Sequence, residues 1–352
     1  MKRKGLFICL IFMFCLLLTA CKIERESSYS DGLIYELNST KDGFVVKGIG
    51  EFSGSDLKIR PTYKKLPVVG INSFAFRDCR GLISVEIPSS VTSIDVSAFI
   101  GCSKLEKIVV NNNEVYDSRD NCNAIIETST NTLIIGCKNT KIPNSVTSIG
   151  GSAFRDCSTL LSIEIPNGVM SIEAYAFSDC STLTSIEISN SVTRIGSYAF
   201  SDCRSLTSIE IPNSVTSIGT HAFYKCRSLT NVEIPSSVTS IGGYAFSYCT
   251  SLTSVVIQKG LIGIRDNTFE SCSSLTKVEI PNSVRIIGNY VFSDCISLTS
   301  VKIPNSVTIL GKNAFEYCTS ITIYCETETQ PSDWNIDWNY TNCPVVWDYK
   351  NK

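Results

Sequence analysis

Apolar positions recur in a fixed order every 23 residues over most of the chain. One unit starts at Leu183 and reads LTSIEISNSVTRIGSYAFSDCRS; the next starts at Leu206 and reads LTSIEIPNSVTSIGTHAFYKCRS. Leu183, Ile186 and Ile188 form an L-x-x-I-x-I pattern whose last step alternates with period two, which predicts a short strand with alternate residues turned inward. Pro212, Pro235, Pro281 and Pro304 close this strand in most units, because proline lacks the donor that a continuing ladder needs. A turn follows, then Val215 and Ile218, then Gly219, where a missing side chain permits an unusual backbone angle. Ala222, Phe223 and Cys226 complete the unit and are expected to fill its far side.

The strictest column is aromatic. Phe154, Phe177, Phe200, Phe223, Phe246, Phe269, Phe292 and Phe315 stand 23 residues apart, each followed three positions later by a cysteine. Phe76 and Phe99 bring such units to ten, well above the roughly three that stacking stability requires. A period of this length with leucine- and isoleucine-rich strand patterning belongs to solenoids of the leucine-rich-repeat kind, where each unit buries its apolar face only against its neighbours. The expected fold is therefore a β-rich leucine-rich-repeat solenoid of 23-residue rungs. It has a parallel sheet on one side, short turns or helical turns on the other, and one long continuous core. With rungs about 4.8 Å apart, ten of them span roughly 50 Å.

Two interruptions shape that array. Phe99 and Phe154 are 55 residues apart, and the extra segment carries Ala124-Ile125-Ile126-Glu127 and Leu133-Ile134-Ile135 around a polar stretch, which predicts a hairpin inserted at about 111–140. Residues 32–70 alternate in the manner of strands and are expected to cap the amino end of a solenoid spanning 71–323, since an open end exposes apolar surface and strand edges. Residues 324–352 are expected to close the other end.

The first residues carry a different signal. Three basic residues precede an apolar run from Gly5 to Leu18, and Leu18-Thr19-Ala20-Cys21 ends it with small residues before a cysteine. This resembles a bacterial lipoprotein signal, which implies removal of residues 1–20 and acylation of Cys21 as a membrane anchor; an ordinary secretory signal is the alternative. The apolar run is shorter than the ~20 residues a membrane span needs. Residues 21–31 then read as the lipidated cysteine and a polar tether. Without residues 1–20 the chain keeps 28 basic against 33 acidic residues, a formal charge of −5. The charges are scattered singly with no basic run, which argues against nucleic acid.

The 17 cysteines of an exported chain would ordinarily suggest disulfides. Most of them share one repeat position, so their side chains point in parallel and are read as buried thiols that fill the interior. Cys122 with Cys137, and Cys325 with Cys343, each form either a disulfide or two buried thiols. No CxxC spacing occurs among the repeat cysteines and the chain has one histidine, so neither zinc nor any other cofactor is expected. That histidine, His221, replaces a tyrosine of its column and has no nucleophile or orienting acid beside it. No phosphate-cradling glycine loop, zinc-protease motif or nucleophile elbow occurs. The chain reads as a non-catalytic scaffold.

Two columns are candidates for binding. Glu86, Glu164, Glu187, Glu210, Glu233 and Glu279 occupy the outward strand position between two inward apolar residues. Like charges so close repel unless relieved by cations, protons or a basic partner, although such a row also simply keeps a face solvated. Tyr175, Tyr198, His221, Tyr244 and Tyr290 make an aromatic column that either binds sugars or partner side chains, or stacks on itself.

The repeat Cys-x-x-Leu-x-x-Ile-x-Ile-Pro, then Val-x-x-Ile-Gly, then Ala-Phe, resembles the BspA-like leucine-rich-repeat surface proteins, also called the Treponema-type repeat. The motif around Tyr116 to Ile126 and the segment from Trp334 to Trp347 resemble the insertion and closing cap of members from anaerobic gut and oral bacteria. The resemblance implies a lipid-anchored protein on the outer membrane or the outer face of the plasma membrane. It implies adhesion to host extracellular-matrix or surface proteins, to glycans or to other bacterial surfaces. A structural or assembly component of the cell envelope is the alternative. The family offers no agreed binding residues to carry over, and this chain departs from the pattern at Ser189 and at 258–263.

Overall fold

A computed structural model describes residues 29–350. The chain winds into a β-solenoid of about 13 turns, roughly 23 residues apart, with almost no helix. Most full rungs contribute a front strand, such as Ser162–Ile165 or Ser185–Ile188, and a two-residue back strand, such as Ser171–Ile172 or Arg194–Ile195. Both stack in parallel and in register: Ile163 faces Ile186, Glu164 faces Glu187, and Ile172 faces Ile195. The sequence predicted one sheet, whereas the structure has ladders on two sides. The short Ser-Ile pair of the back segment also alternates and buries its isoleucine.

The far side is a run of successive turns; the one helix among the described residues is the three-residue 3-10 turn Arg119–Asn121. Around Phe177, alternate N–H groups close turns within the rung, while those of Tyr175, Phe177 and Asp179 donate to Ser197, Ala199 and Ser201 of the next rung at 2.9, 2.8 and 2.8 Å. Aiming them forward puts Tyr175 and Asp179 in the left-handed region, at φ 60° and 62°, and the equivalents in other rungs follow suit. For a residue with a β-carbon this costs on the order of 1–2 kcal/mol. Gly219, expected to supply the unusual angle, does not. A β-carbon there would stand 2.4 Å from the Ser197 nitrogen, so glycine lets adjacent rungs approach, and the positive φ falls at His221 instead.

Phe154 to Phe315 are fully buried. Their rings stack 4.9 to 5.7 Å apart along the axis. Eight of the ten repeat cysteines do more than fill space: the thiol donates to the phenylalanine carbonyl of the preceding rung, as Cys226 does to Phe200 at 3.2 Å, whereas Cys79 and Cys157 bond toward Arg77 and Gly136.

The core is not continuous. The inserted segment forms Tyr116–Asp117, Ile125–Glu127 and Thr132–Ile135, of which the last two pair antiparallel and the last joins the back strand Ser148–Ile149 in parallel. The neighbours Ile125 and Ile126, and Leu133 and Ile134, point to opposite sides. Ile125, Ile134, Ile135 and Cys137 pack with the amino-terminal rungs, whereas Cys122, Ala124, Ile126 and Leu133 pack with the carboxyl-terminal ones. The hairpin is a septum between two cores. Cys122 and Cys137 are accordingly separate buried thiols, and so are Cys325, in the isoleucine column of the front strands, and Cys343, which bonds toward the Phe315 and Cys318 carbonyls.

At the amino end, Ile34–Leu37 pairs antiparallel with Phe44–Gly48, which runs parallel to Leu66–Ile71 and through it to the first back strand, Ser93–Ile94. At the other end Trp338 meets the last ring of the phenylalanine stack edge-on, Phe315, at 6.3 Å, with Trp334 and Trp347 packed behind it.

Candidate binding face

The outward positions of the front strands bring the six glutamates onto one face, but they are not equivalent. Glu86 accepts from Asn111 at 2.6 Å and pairs with Lys58 at 3.2 Å. Glu279 pairs with Lys277 at 2.7 Å, and that hydrogen bond lowers its pKa. Glu233 accepts from the Gln258 amide, a side chain supplied by the irregular rung. Glu164, Glu187 and Glu210 are exposed and have no hydrogen bond or ion pair among the described residues. The row expected as one feature is thus three partnered carboxylates, two of them ion-paired, flanking three free ones.

The free carboxylates lie where the front sheet is broken. Residues 207–212, which hold Glu210 and were expected to form a strand, make no ladder, and the front sheet parts there into Ser162–Ile165 with Ser185–Ile188 on one side and a six-stranded sheet from Asn231–Ile234 on the other. On the amino side of Ser162–Ile165 the segment 140–144 forms the wall of a groove of about 540 Å³, lined by Lys141, Ile142, Asn144, Ser162, Glu164 and Glu187. A second hollow of about 250 Å³ shares Asn144, Glu164 and Glu187 and extends it to Asn167 and Ser189.

The aromatic column assembles in part. Tyr175, Tyr198, His221 and Tyr244 stack face to face at 4.7, 4.5 and 4.6 Å, and the Arg155 guanidinium covers the free face of Tyr175 at 5.0 Å. Tyr290 stands apart because Asn267 occupies the intervening rung. A sugar-binding platform needs an exposed ring face, but here each inner ring has both faces covered by its neighbours. Burial lowers the pKa of His221, whose Nδ1 is enclosed without a hydrogen-bond partner, so the ring is neutral at pH 7.

Burial also pushes the thiols of Cys102, Cys249 and Cys318 up to about 12, and those of Cys226, Cys272 and Cys295 well above their ordinary value. The nucleophilic form of a cysteine is the thiolate, so this column is chemically quiet. The sequence reading missed an aspartate row, Asp78, Asp156, Asp179 and Asp202, which lines a hollow of about 310 Å³ beside Arg80 and Arg204. Its signal was the aspartate that precedes Cys79, Cys157, Cys180 and Cys203. Burial and the neighbouring Asp179 raise the pKa of Asp156. No group of three or more histidines, cysteines or carboxylates among the described residues is arranged to hold a metal ion.

Residues 55–133, 125–252 and 193–322 match the family model for the BspA type leucine rich repeat region, in six copies. The chain belongs to this family. Among solved structures, this BspA-type chain is similar to a leucine-rich repeat protein from Bacteroides ovatus, at 26% identity and a TM-score of 0.50, over 91% of this chain and 99% of that one. It is similar in fold to the pneumococcal vaccine antigen PcpA, at 18% identity and a TM-score of 0.50, over 88% and 90%. A leucine rich cell surface protein from Faecalibacterium prausnitzii matches at 24% identity and a TM-score of 0.44, over 86% and 95%. A comparison with curated proteins finds no match. Cys21, the expected lipid anchor, lies outside the described residues, as does the signal segment. Among the described residues no helix is long and apolar enough to cross a membrane.

Proposed function

We propose that this BspA-type chain is a non-catalytic binding scaffold displayed on a bacterial surface, anchored through an acylated Cys21 and held off the bilayer by the tether that follows. The observation that carries the reading is the set of exposed, unpaired carboxylates, Glu164, Glu187 and Glu210, on the front sheet beside an open groove. A solenoid supports such a face well, because its strands hold their outward side chains at a fixed spacing over several rungs. Family membership supports an adhesive role toward host matrix or surface proteins, glycans or other bacteria. The lowered pKa of His221 and the raised pKa values of the buried thiols support the non-catalytic reading.

The test is binding of the full chain to an array of matrix proteins, mucins, glycans and bacterial surfaces, with a triple variant Glu164→Gln, Glu187→Gln and Glu210→Gln beside it. Saturable binding that the triple variant loses supports the reading. Binding that the variant retains moves the site off this face, and binding to nothing in the array favours a structural role in the envelope. Metabolic labelling with a fatty acid, compared between the chain and Cys21→Ala, tests the anchor.

A further inference from the structure

We infer that the amino-side edge of the strand Ser162–Ile165 is a docking edge for an extended basic peptide, which adds to the sheet as a strand with its cationic side chains over Glu164 and Glu187. The inference rests on the proposed binding role of the front face and names the partner's chemistry.

The argument begins with a ladder that is interrupted. In the regular array most front segments tie their first amide to the rung before: Thr184 donates to Leu161, Thr253 to Thr230 and Thr276 to Thr253, at 2.9, 2.9 and 3.0 Å. Strand pairing follows, as between Ser162–Ile165 and Ser185–Ile188. The segment that should precede Ser162–Ile165 is residues 138–143. Its backbone amides bond to earlier residues, Lys138 to the Leu105 carbonyl at 3.3 Å and Lys141 to the Cys122 carbonyl at 3.0 Å, but its carbonyls accept nothing from the strand that follows. Among the described residues no backbone hydrogen bond joins 138–143 to the strand Ser162–Ile165. The cause is the septum: Cys137, buried against the amino-terminal core, and the Thr140 hydroxyl, bonded to the Asn123 carbonyl at 2.7 Å, hold the start of this segment to the insertion, while Ile142 packs against the carboxyl-terminal core.

The edge left behind has the two features that strand addition uses. Unpaired main-chain groups on a strand edge are a template for another chain, and pockets for alternate side chains select which chain. Ser162–Ile165 faces the groove of about 540 Å³, with Ile163 at its floor and Glu164 and Glu187 on its outward side. A residue placed opposite Glu164 would bring its Cβ to about 5 Å, within reach of a Lys or Arg side chain. Period two then sets the peptide's pattern: basic residues at alternate positions, with a small apolar residue between them over Ile163. Lys141 is the one cation on the opposite wall, so the groove remains net acidic.

The experiment uses the full chain and three blocked peptides: alternating lysine and valine, the same peptide with its backbone amides methylated, and alternating glutamate and valine. The lysine peptide is expected to bind saturably and to slow hydrogen exchange in 162–165. Backbone methylation should weaken it about tenfold, because main-chain bonds are lost while charge is kept. Glu164→Gln with Glu187→Gln should weaken it and flatten its salt dependence, whereas Glu279→Gln, already paired with Lys277, should not. Equal binding of the methylated and unmethylated peptides, or no slowing of exchange in 162–165, overturns strand addition. Lack of binding by the lysine peptide, when the array still finds a partner sensitive to the glutamates, overturns it too and leaves the broader function standing. Loss of that array result as well removes the broader reading.

Discussion

Residues 144–322 and the stretch 105–143 are built from the same residue types, yet they solve the same problem in different ways. In the regular array one solution is repeated: the Thr216 and Thr239 hydroxyls each donate to the threonine carbonyl one rung earlier, at 3.1 and 3.3 Å. The cysteine thiols and the stacked rings repeat likewise, so one favourable rung makes all of them favourable. In the interrupted stretch every contact is made once. The Tyr116 hydroxyl accepts from the Ile94 amide at 3.1 Å, replacing the strand that should continue there, and Asn113 bonds the Val91 carbonyl at 2.6 Å. Repetition leaves the hydroxyls of Ser237, Ser283 and Ser306 buried without a partner, whereas the break leaves a strand edge and a groove. In this chain the departure from period, rather than the period, creates a candidate site.

The comparison breaks most visibly by emptying the array's core. Phe223→Ala removes a fully buried ring stacked on both sides, which should cost about 3–5 kcal/mol in denaturant unfolding. Because the septum divides the cores, hydrogen exchange should accelerate in 144–322 while 44–110 keeps its protection. Uniform acceleration would mean that the two cores unfold as one.

Gly136→Ala attacks the junction itself. Its new methyl group would fall 2.1 Å from the Phe154 ring, and an overpacked core loses roughly 1–3 kcal/mol. Here both halves should lose protection together. A change confined to one half would place the septum in that half alone.

Alkaline pH sharpens the contrast between buried and accessible cysteines. The column thiols have folded pKa values above the ordinary 9.0, about 12 for Cys249, so the folded state keeps protons that the unfolded chain releases. Their contribution to stability is complete below pH 9 and declines as pH rises toward 12. Melting temperature should fall across that window, and less steeply after Cys226→Ala with Cys249→Ala. At pH 8 alkylation of the native protein should reach the half-buried Cys79 before Cys226. The reverse order would show the array opening more readily than its end.

The smallest effect concerns His221. Restoring the column residue with His221→Tyr should change stability at pH 7 by no more than about 0.5 kcal/mol. The lowered folded pKa makes the histidine's contribution complete above its ordinary 6.5 and progressively lost below it. The variant should therefore melt higher than the parent at pH 5, and identical curves at both pH values would refute the desolvation of this ring.

Much of the solenoid was legible in the residues, because in a stack of identical rungs the period alone decides which side chains become neighbours. Phe200 meets Phe223, and Glu164 stands beside Glu187, for no reason beyond 23-residue spacing. The same logic placed Tyr175, Tyr198, His221 and Tyr244 in one stack, but it also put Tyr290 in that column, and Tyr290 stands apart because Asn267 fills the rung between. What pattern could not show is where unlike segments meet. Lys58 and Asn111 neutralise Glu86 from the rungs on either side of it. Gln258 reaches back to Glu233, and Thr140 follows the insertion away from the strand it should have paired with.

The sequence by itself therefore determined the columns, since nearest-neighbour stacking converts a repeat into a list of contacts. The tertiary structure alone decided which glutamates stay free, why Gly219 lacks a side chain, and that the hairpin separates two cores. Those outcomes depend on the close approach of backbones and on one-off contacts between segments of unrelated pattern, for which spacing along the chain carries no signal.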